Sequence, residues 1–306
     1  MLALIFASLS AGINVIDNDG KTLFTADINL RGKQGRTLLM YSVRNPEQVK
    51  SLIDSSADVN IKDDSGATAL IYAAANSAPP ATFRLLIDAG ADVNISSDFG
   101  ATALLTASRF HDDPRVIRIL TGAGANLYAE DNRGRTPLII ALVFNANPKI
   151  AEALITAGAD VNRKNTKGLT PLMIVASNVK ESADPLKFLL QHSADVHARD
   201  KREWTALMFA TANNPNPEIT RALLEAGSDV NAGDDEGITP LMWALVSDPV
   251  PEVVKLLIDY GAEIGAKSDG GLTAIDIAEM KKAGNEIMNI LKQGGINHRN
   301  KERNEN

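Results

Sequence analysis

The chain has no cysteine, which excludes disulfide staples and thiolate metal sites. Histidine is scarce too. His111, His192, His197 and His298 are the four present, and none falls in the His-x-x-x-His or His-Glu-x-x-His spacing that sets two imidazoles on one helix face. Aromatic residues make up 5% of the chain, so each large ring can be followed individually. No apolar run approaches the ~18 residues of a membrane span. Glycine-rich phosphate loops are missing as well, and Gly122-Ala123-Gly124 reads as a helix end. Positive charge is in deficit: 31 Lys plus Arg against 38 Asp plus Glu give a formal net charge of −7. That balance argues against a general affinity for nucleic acid or anionic membrane.

Repetition is what the chain does have. Thr37, Thr68, Thr102, Thr136, Thr170, Thr205, Thr239 and Thr273 each open a Thr-Pro/Ala-Leu-like phrase, at separations of 31, 34, 34, 34, 35, 34 and 34 residues. A fixed period in this range means stacked units, each burying its apolar face only against its neighbours. The stretch from Ala194 to Gly227 serves as a sample unit. A polar turn leads to Thr205, placed to cap a first helix. Pro217 then opens a second helix with Ile219, Ala222, Leu223 and Leu224 on one face. Gly227 ends it in the position that favours a left-handed backbone. Prolines recur at Pro46, Pro80, Pro114, Pro148 and Pro251, and terminal glycines at Gly90, Gly124, Gly158 and Gly261.

Helix–turn–helix plus an extended turn at this period closely resembles the ankyrin repeat. The phrases that carry the resemblance are Gly168-Leu169-Thr170-Pro171-Leu172 and Ala157-Gly158-Ala159-Asp160-Val161-Asn162, and it covers residues 26–292. It implies an all-α solenoid of stacked helix pairs with extended, β-hairpin-like turns. Two family features are absent. The histidine after Thr-Pro-Leu is replaced by Met40, Ile71, Leu105, Ile139, Met173, Met208 and Met242, and the Gly-His pair between helices is missing. Apolar packing is expected to take the place of the lost polar network. The first repeat is three residues short between its helices, so its turn should be tighter. Residues 1–25 read either as an irregular N-terminal cap or as a signal segment, and the compartment is therefore left open between cytoplasm and export. Residues 293–306 read as a polar, disordered tail.

Catalytic chemistry finds little support. The acidic pairs Asp63-Asp64, Asp112-Asp113 and Asp234-Asp235 fall in repeat-related turns expected to be exposed, where Asp is favoured for local backbone hydrogen bonds. None fits a calcium loop. His197 takes the place of a turn asparagine and is read as structural. The expectation is therefore a monomeric, non-enzymatic scaffold without metal or cofactor, which binds a protein partner. The alternative is a recognition or targeting module of a secreted or enzyme-associated system.

The resemblance places partner binding on a concave face made of turn tips and first helices. Just before each threonine stand Arg36, Ala67, Ala101, Arg135, Leu169, Trp204, Ile238 and Leu272. Leu169, Trp204 and Ile238 are expected to form an exposed apolar row, with Arg133, Arg135, Lys167 and Arg202 around it and Phe110 and Phe144 at the ends of first helices. Such a surface would suit a partner that is both acidic and apolar. Glu203 occupies a turn position that is glycine in the other units and is expected at positive φ.

Overall fold

A computed structural model describes residues 8–9, 12–16, 22–246 and 248–304. The array is helical throughout, and every threonine anchor starts a helix. The chain divides into two compact units, Met1–Ala159 and Asp160–Asn306. The division falls between repeats, where a solenoid has only nearest-neighbour contacts to separate.

In the first unit the repeats are the pairs α1 (Leu38–Ser42) and α2 (Pro46–Asp54), α3 (Ala69–Ala75) and α4 (Pro80–Asp88), α5 (Ala103–Phe110) and α6 (Pro114–Gly122), and α7 (Pro137–Phe144) and α8 (Pro148–Thr156). The second unit holds α9 (Pro171–Asn178) and α10 (Asp184–Gln191), α11 (Ala206–Asn213) and α12 (Pro217–Glu225), α13 (Pro240–Val246) and α14 (Pro251–Asp259), and α15 (Ala274–Met280) and α16 (Asn285–Asn304). Within each unit, first helices stack on first helices and second on second. The core between them is mainly aliphatic: Leu70, Leu104, Leu120, Ile139 and Leu154 in one unit, Leu172, Leu207, Leu223 and Leu257 in the other, all buried.

The threonine hydroxyls accept the N3 backbone N–H in most repeats, as from Leu105, Met173, Met208 and Met242. The missing histidine leaves a further consequence. The backbone N–H groups of Thr37, Thr170 and Thr205 donate to the sulfurs of Met40, Met173 and Met208 at 3.4–3.5 Å, so a weak polar contact survives where apolar packing alone was expected.

The stronger network has moved elsewhere. Between the helices, Asn145 donates from Nδ2 to the carbonyls of Ser108 and His111, and Asn214 to those of Ala176 and Val179. In the same position His111 is buried, with Nε2 3.0 Å from the carbonyl of Ala78 and Nδ1 accepting the N–H of Asp113. At the opposite end of each repeat the turn asparagines make a second ladder. Asn60, Asn94, Asn162 and Asn231 each donate to a terminal carbonyl of their own repeat's neighbour, and each accepts a backbone N–H from it. A side chain with one donor and one acceptor arm is what this task needs, which explains the recurring Asn.

The first repeat and the two ends of the chain have features of their own. The first repeat takes up its deletion mostly in the helix: α1 has five residues and three residues, Val43 to Asn45, link it to α2. The segment expected as an irregular cap carries three short antiparallel strands, β1 (Ser8–Leu9), β2 (Gly12–Ile16) and β3 (Thr22–Ala26), with register shifted between Val15 and Ile16. Residues 1–7, on which the signal alternative chiefly rests, lie outside the described residues. At the other end, α16 runs to Asn304 through the segment expected to be disordered. Among the described residues, no helix is long and apolar enough to cross a membrane.

Candidate binding face

In five repeats the turn that precedes the first helix is built on one Asp or Asn side chain, five residues before the threonine. Asp63, Asp131, Asn165, Asp200 and Asp234 accept the backbone N–H groups two and four residues on. Asp63 and Asp234, expected to be exposed, are buried. A carboxylate can be buried here because its acceptor sites are filled. Asp63 also takes the Tyr72 hydroxyl at 2.7 Å, and Asp234 the indole N–H of Trp243 at 3.0 Å. Burial pushes Asp63 up, but the hydrogen bonds from Tyr72, Ser65 and Ala67 outweigh it and hold the carboxyl below its usual range. Burial and the neighbouring Asp63 push the Tyr72 phenol up to about 12.

The expected apolar row is not a presented surface. Trp204 is 8% exposed, with ring centroids 4.3 Å from Trp243 and 5.0 Å from Phe209. It packs with Met208 and Ala232 in a buried cluster, and its indole Nε1 has no hydrogen-bond partner among the described residues. Leu169 and Ile238 are half-buried. The physical reason is the ring four residues after the threonine. Phe209 and Trp243 are large enough to close over Trp204, so the bulkiest candidate becomes core. Arg202 remains exposed, its guanidinium 4.8 Å from the Trp204 ring, and Lys167 is exposed. Glu203 stands at φ 60°, as its glycine counterparts do at 69–83°. Its carboxylate reaches Arg199 at 3.6 Å.

Arg133 and Arg135 belong to the first unit, so the patch read from the sequence divides between units. There they join a surface the row did not anticipate. Phe99, Phe110 and Phe144 are 70%, 51% and 41% exposed. A groove of about 350 Å³ is lined by Phe99, Arg109, Asp131, Asn132, Arg133, Arg135 and Phe144. Two guanidinium groups lie over one ring: Arg109 at 4.4 Å and Arg135 at 4.9 Å from the Phe144 centroid. Arg109 also lies 5.2 Å from Phe110. Arg135 is held by Asp131, which its Nε meets at 2.7 Å. Burial raises the Asp131 pKa, but the Arg135 guanidinium and the turn N–H groups bring it below the usual range.

Sequence reading missed Phe99 and Arg109. A signal existed for each. The tip position three before the threonine holds Gln34, Ser65, Arg133, Lys167, Arg202, Glu236 and Gly270 elsewhere, so an apolar Phe99 is the exception. Arg109 is a lone cation in the otherwise apolar and hydroxyl run of α5.

The chain matches the family described as "Ankyrin repeats (3 copies)" over residues 13–97, 76–165, 143–234 and 212–302. No curated protein was found to match it.

Proposed function

The chain belongs to the ankyrin-repeat family, whose repeats generally serve in protein–protein interaction, and on that premise we propose that it is a non-catalytic scaffold whose first unit binds a protein partner. The single observation that carries this reading is the exposure of Phe99, Phe110 and Phe144 together, in a chain with eight phenylalanines. Exposed rings clustered beside arginines are the residue types that dominate binding energy at interface centres. The surface sits on turn tips and the ends of first helices, whose backbones are held by the turn bonds of Ser97 and Asp131, so little ordering cost attends binding. This moves the centre of the interface from Trp204 to Phe144, with Arg133 and Arg135 kept. Phe110 is kept as well.

The test is quantitative affinity capture with the full chain against its Phe99→Ser/Phe144→Ser variant. The expected result is a set of proteins retained by the native chain and lost from the variant, with both melting alike. An identical captured set would remove this face from consideration.

A further inference from the structure

If the first unit's face binds a protein, the chemistry of its groove narrows what that protein presents. The groove carries three guanidinium groups and one carboxylate, in a chain whose net charge is −7. Arg135 is neutralised by Asp131. Arg109 and Arg133 have no carboxylate partner among the described residues, and neither side chain makes a hydrogen bond there. A guanidinium stacked on a ring gains from the ring's negative face but uses none of its five N–H donors. Arg109 is therefore held in place by Phe110 and Phe144 with its full donor set unspent, beside the exposed ring of Phe99.

We propose that this groove takes an acidic segment of the partner protein that carries an aromatic or large aliphatic side chain. The apolar side chain seats against Phe99 and Phe144, and an adjacent Asp or Glu carboxylate pairs with Arg109. The fork of Arg109 matches a carboxylate in two parallel hydrogen bonds, a geometry lysine cannot supply. Arg133, on the exposed tip, adds attraction at longer range and speeds the encounter more than it holds the complex. The same two cations would also attract a nucleic-acid phosphate. The acidic protein as a whole repels a polyanion, whereas a short acidic segment meets only the local charge.

A random peptide library displayed on phage and panned against the full chain tests this. Selected peptides are then synthesised and titrated by fluorescence anisotropy. The proposal expects Asp or Glu next to Phe, Tyr, Trp or Leu among the selected sequences. It expects binding to weaken about tenfold or more when the peptide's acids become amides or when Arg109→Gln is introduced, a change equal to the loss of one charge-assisted pair. Arg109→Lys should recover part of that loss. Circular dichroism checks that the variants fold. Neutral or basic peptides whose binding depends on Phe144 but not on Arg109 would overturn the acidic segment and leave the face standing. Peptides that bind the Phe99→Ser/Phe144→Ser variant as well as the native chain, or no selection at all, would overturn the face and this inference together. A single-stranded oligonucleotide that outcompetes the selected peptides would replace the acidic segment by nucleic acid.

Discussion

The same repeat positions give an open face in the first unit and a closed one in the second. Just before the threonine stands Arg135 in one and Trp204 in the other; four residues after it stand Ile140 and Phe209. Where an arginine is followed by an aliphatic residue, the guanidinium lies over Phe144 and the ring keeps much of its exposure. Where a tryptophan is followed by rings in its own and the next repeat, Phe209 and Trp243, the three collapse into a cluster. Backbone equivalence is retained in both, since Asp131 and Asp200 make the same turn bonds. Position in a repeat fixes where a side chain starts, and the size of its neighbours decides whether it reaches solvent.

The largest expected effect breaks this comparison if it is mistaken. Trp204→Ala should lower stability by about 3–5 kcal/mol, the usual cost of emptying a buried aromatic site. Phe144→Ala, at the exposed counterpart, should cost about 1 kcal/mol or less. Urea titration followed by circular dichroism measures both. Equal losses would mean that the two faces are packed alike. Next in size is Asn214→Ala. It strands the buried carbonyls of Ala176 and Val179 and should cost about 1–3 kcal/mol. The surface pair partner Arg221, whose carboxylate contacts with Glu218 and Glu252 are exposed, should by contrast tolerate Arg221→Ala within about 1 kcal/mol.

Much of the fold was legible because its determinants are local. Threonine caps, Pro at the first turn of a helix and Gly at its end act within a few residues, so Thr37 to Thr273 each mark a helix that forms. The Asn ladders were visible as letters but not as bonds, since their partners lie one repeat away. The binding face was less legible for the same reason. Trp204 was read from its own position, yet its burial depends on Trp243, a full repeat further on. Phe99 and Arg109 fall on different elements, and only folding brings them beside Phe144.

Acid titration sharpens the comparison further. Asp63, Asp113 and Asp131, all in the first unit, are held below the usual carboxylate range. For Asp113 the chief cause is the hydrogen bond from Arg115; Asp276 in the second unit is lowered by Thr273. A depressed folded-state pKa contributes stability that is present above about pH 4, the unfolded value, and is lost as pH falls through the folded one. With three such groups against one, the first unit should lose structure before the second. Both tryptophans, Trp204 and Trp243, lie in the second unit, so their fluorescence reports on it alone. On acidification the far-ultraviolet circular dichroism should fall before the tryptophan signal changes. Tyr72 works in the opposite direction. Its raised pKa contributes stability present below about pH 10 and lost as pH rises toward about 12. Tyr72→Phe should abolish that alkaline loss.

The smallest effect concerns the tip beside Trp204. In the glycine tips an added Cβ would meet the next tip closely: 2.9 Å from Asp98 Oδ1 at Gly66 and 2.9 Å from Asp269 Oδ1 at Gly237. Glu203 carries a Cβ in this position, and the tip-to-tip bond there, from the Asp235 N–H to the Arg202 carbonyl, is 3.2 Å against 2.9–3.0 Å at its three counterparts. Two terms oppose each other in Glu203→Gly. Relief of a left-handed conformation returns roughly 1–2 kcal/mol, and the extra freedom of glycine in the unfolded chain takes back roughly 0.5–1 kcal/mol. The Arg199 pair is exposed and adds little. The net is a gain of about 0.5–1 kcal/mol, read as a small rise in melting temperature. A lower melting temperature would show that the Arg199–Glu203 contact outweighs the backbone strain, and that this tip is held by its side chains rather than despite them.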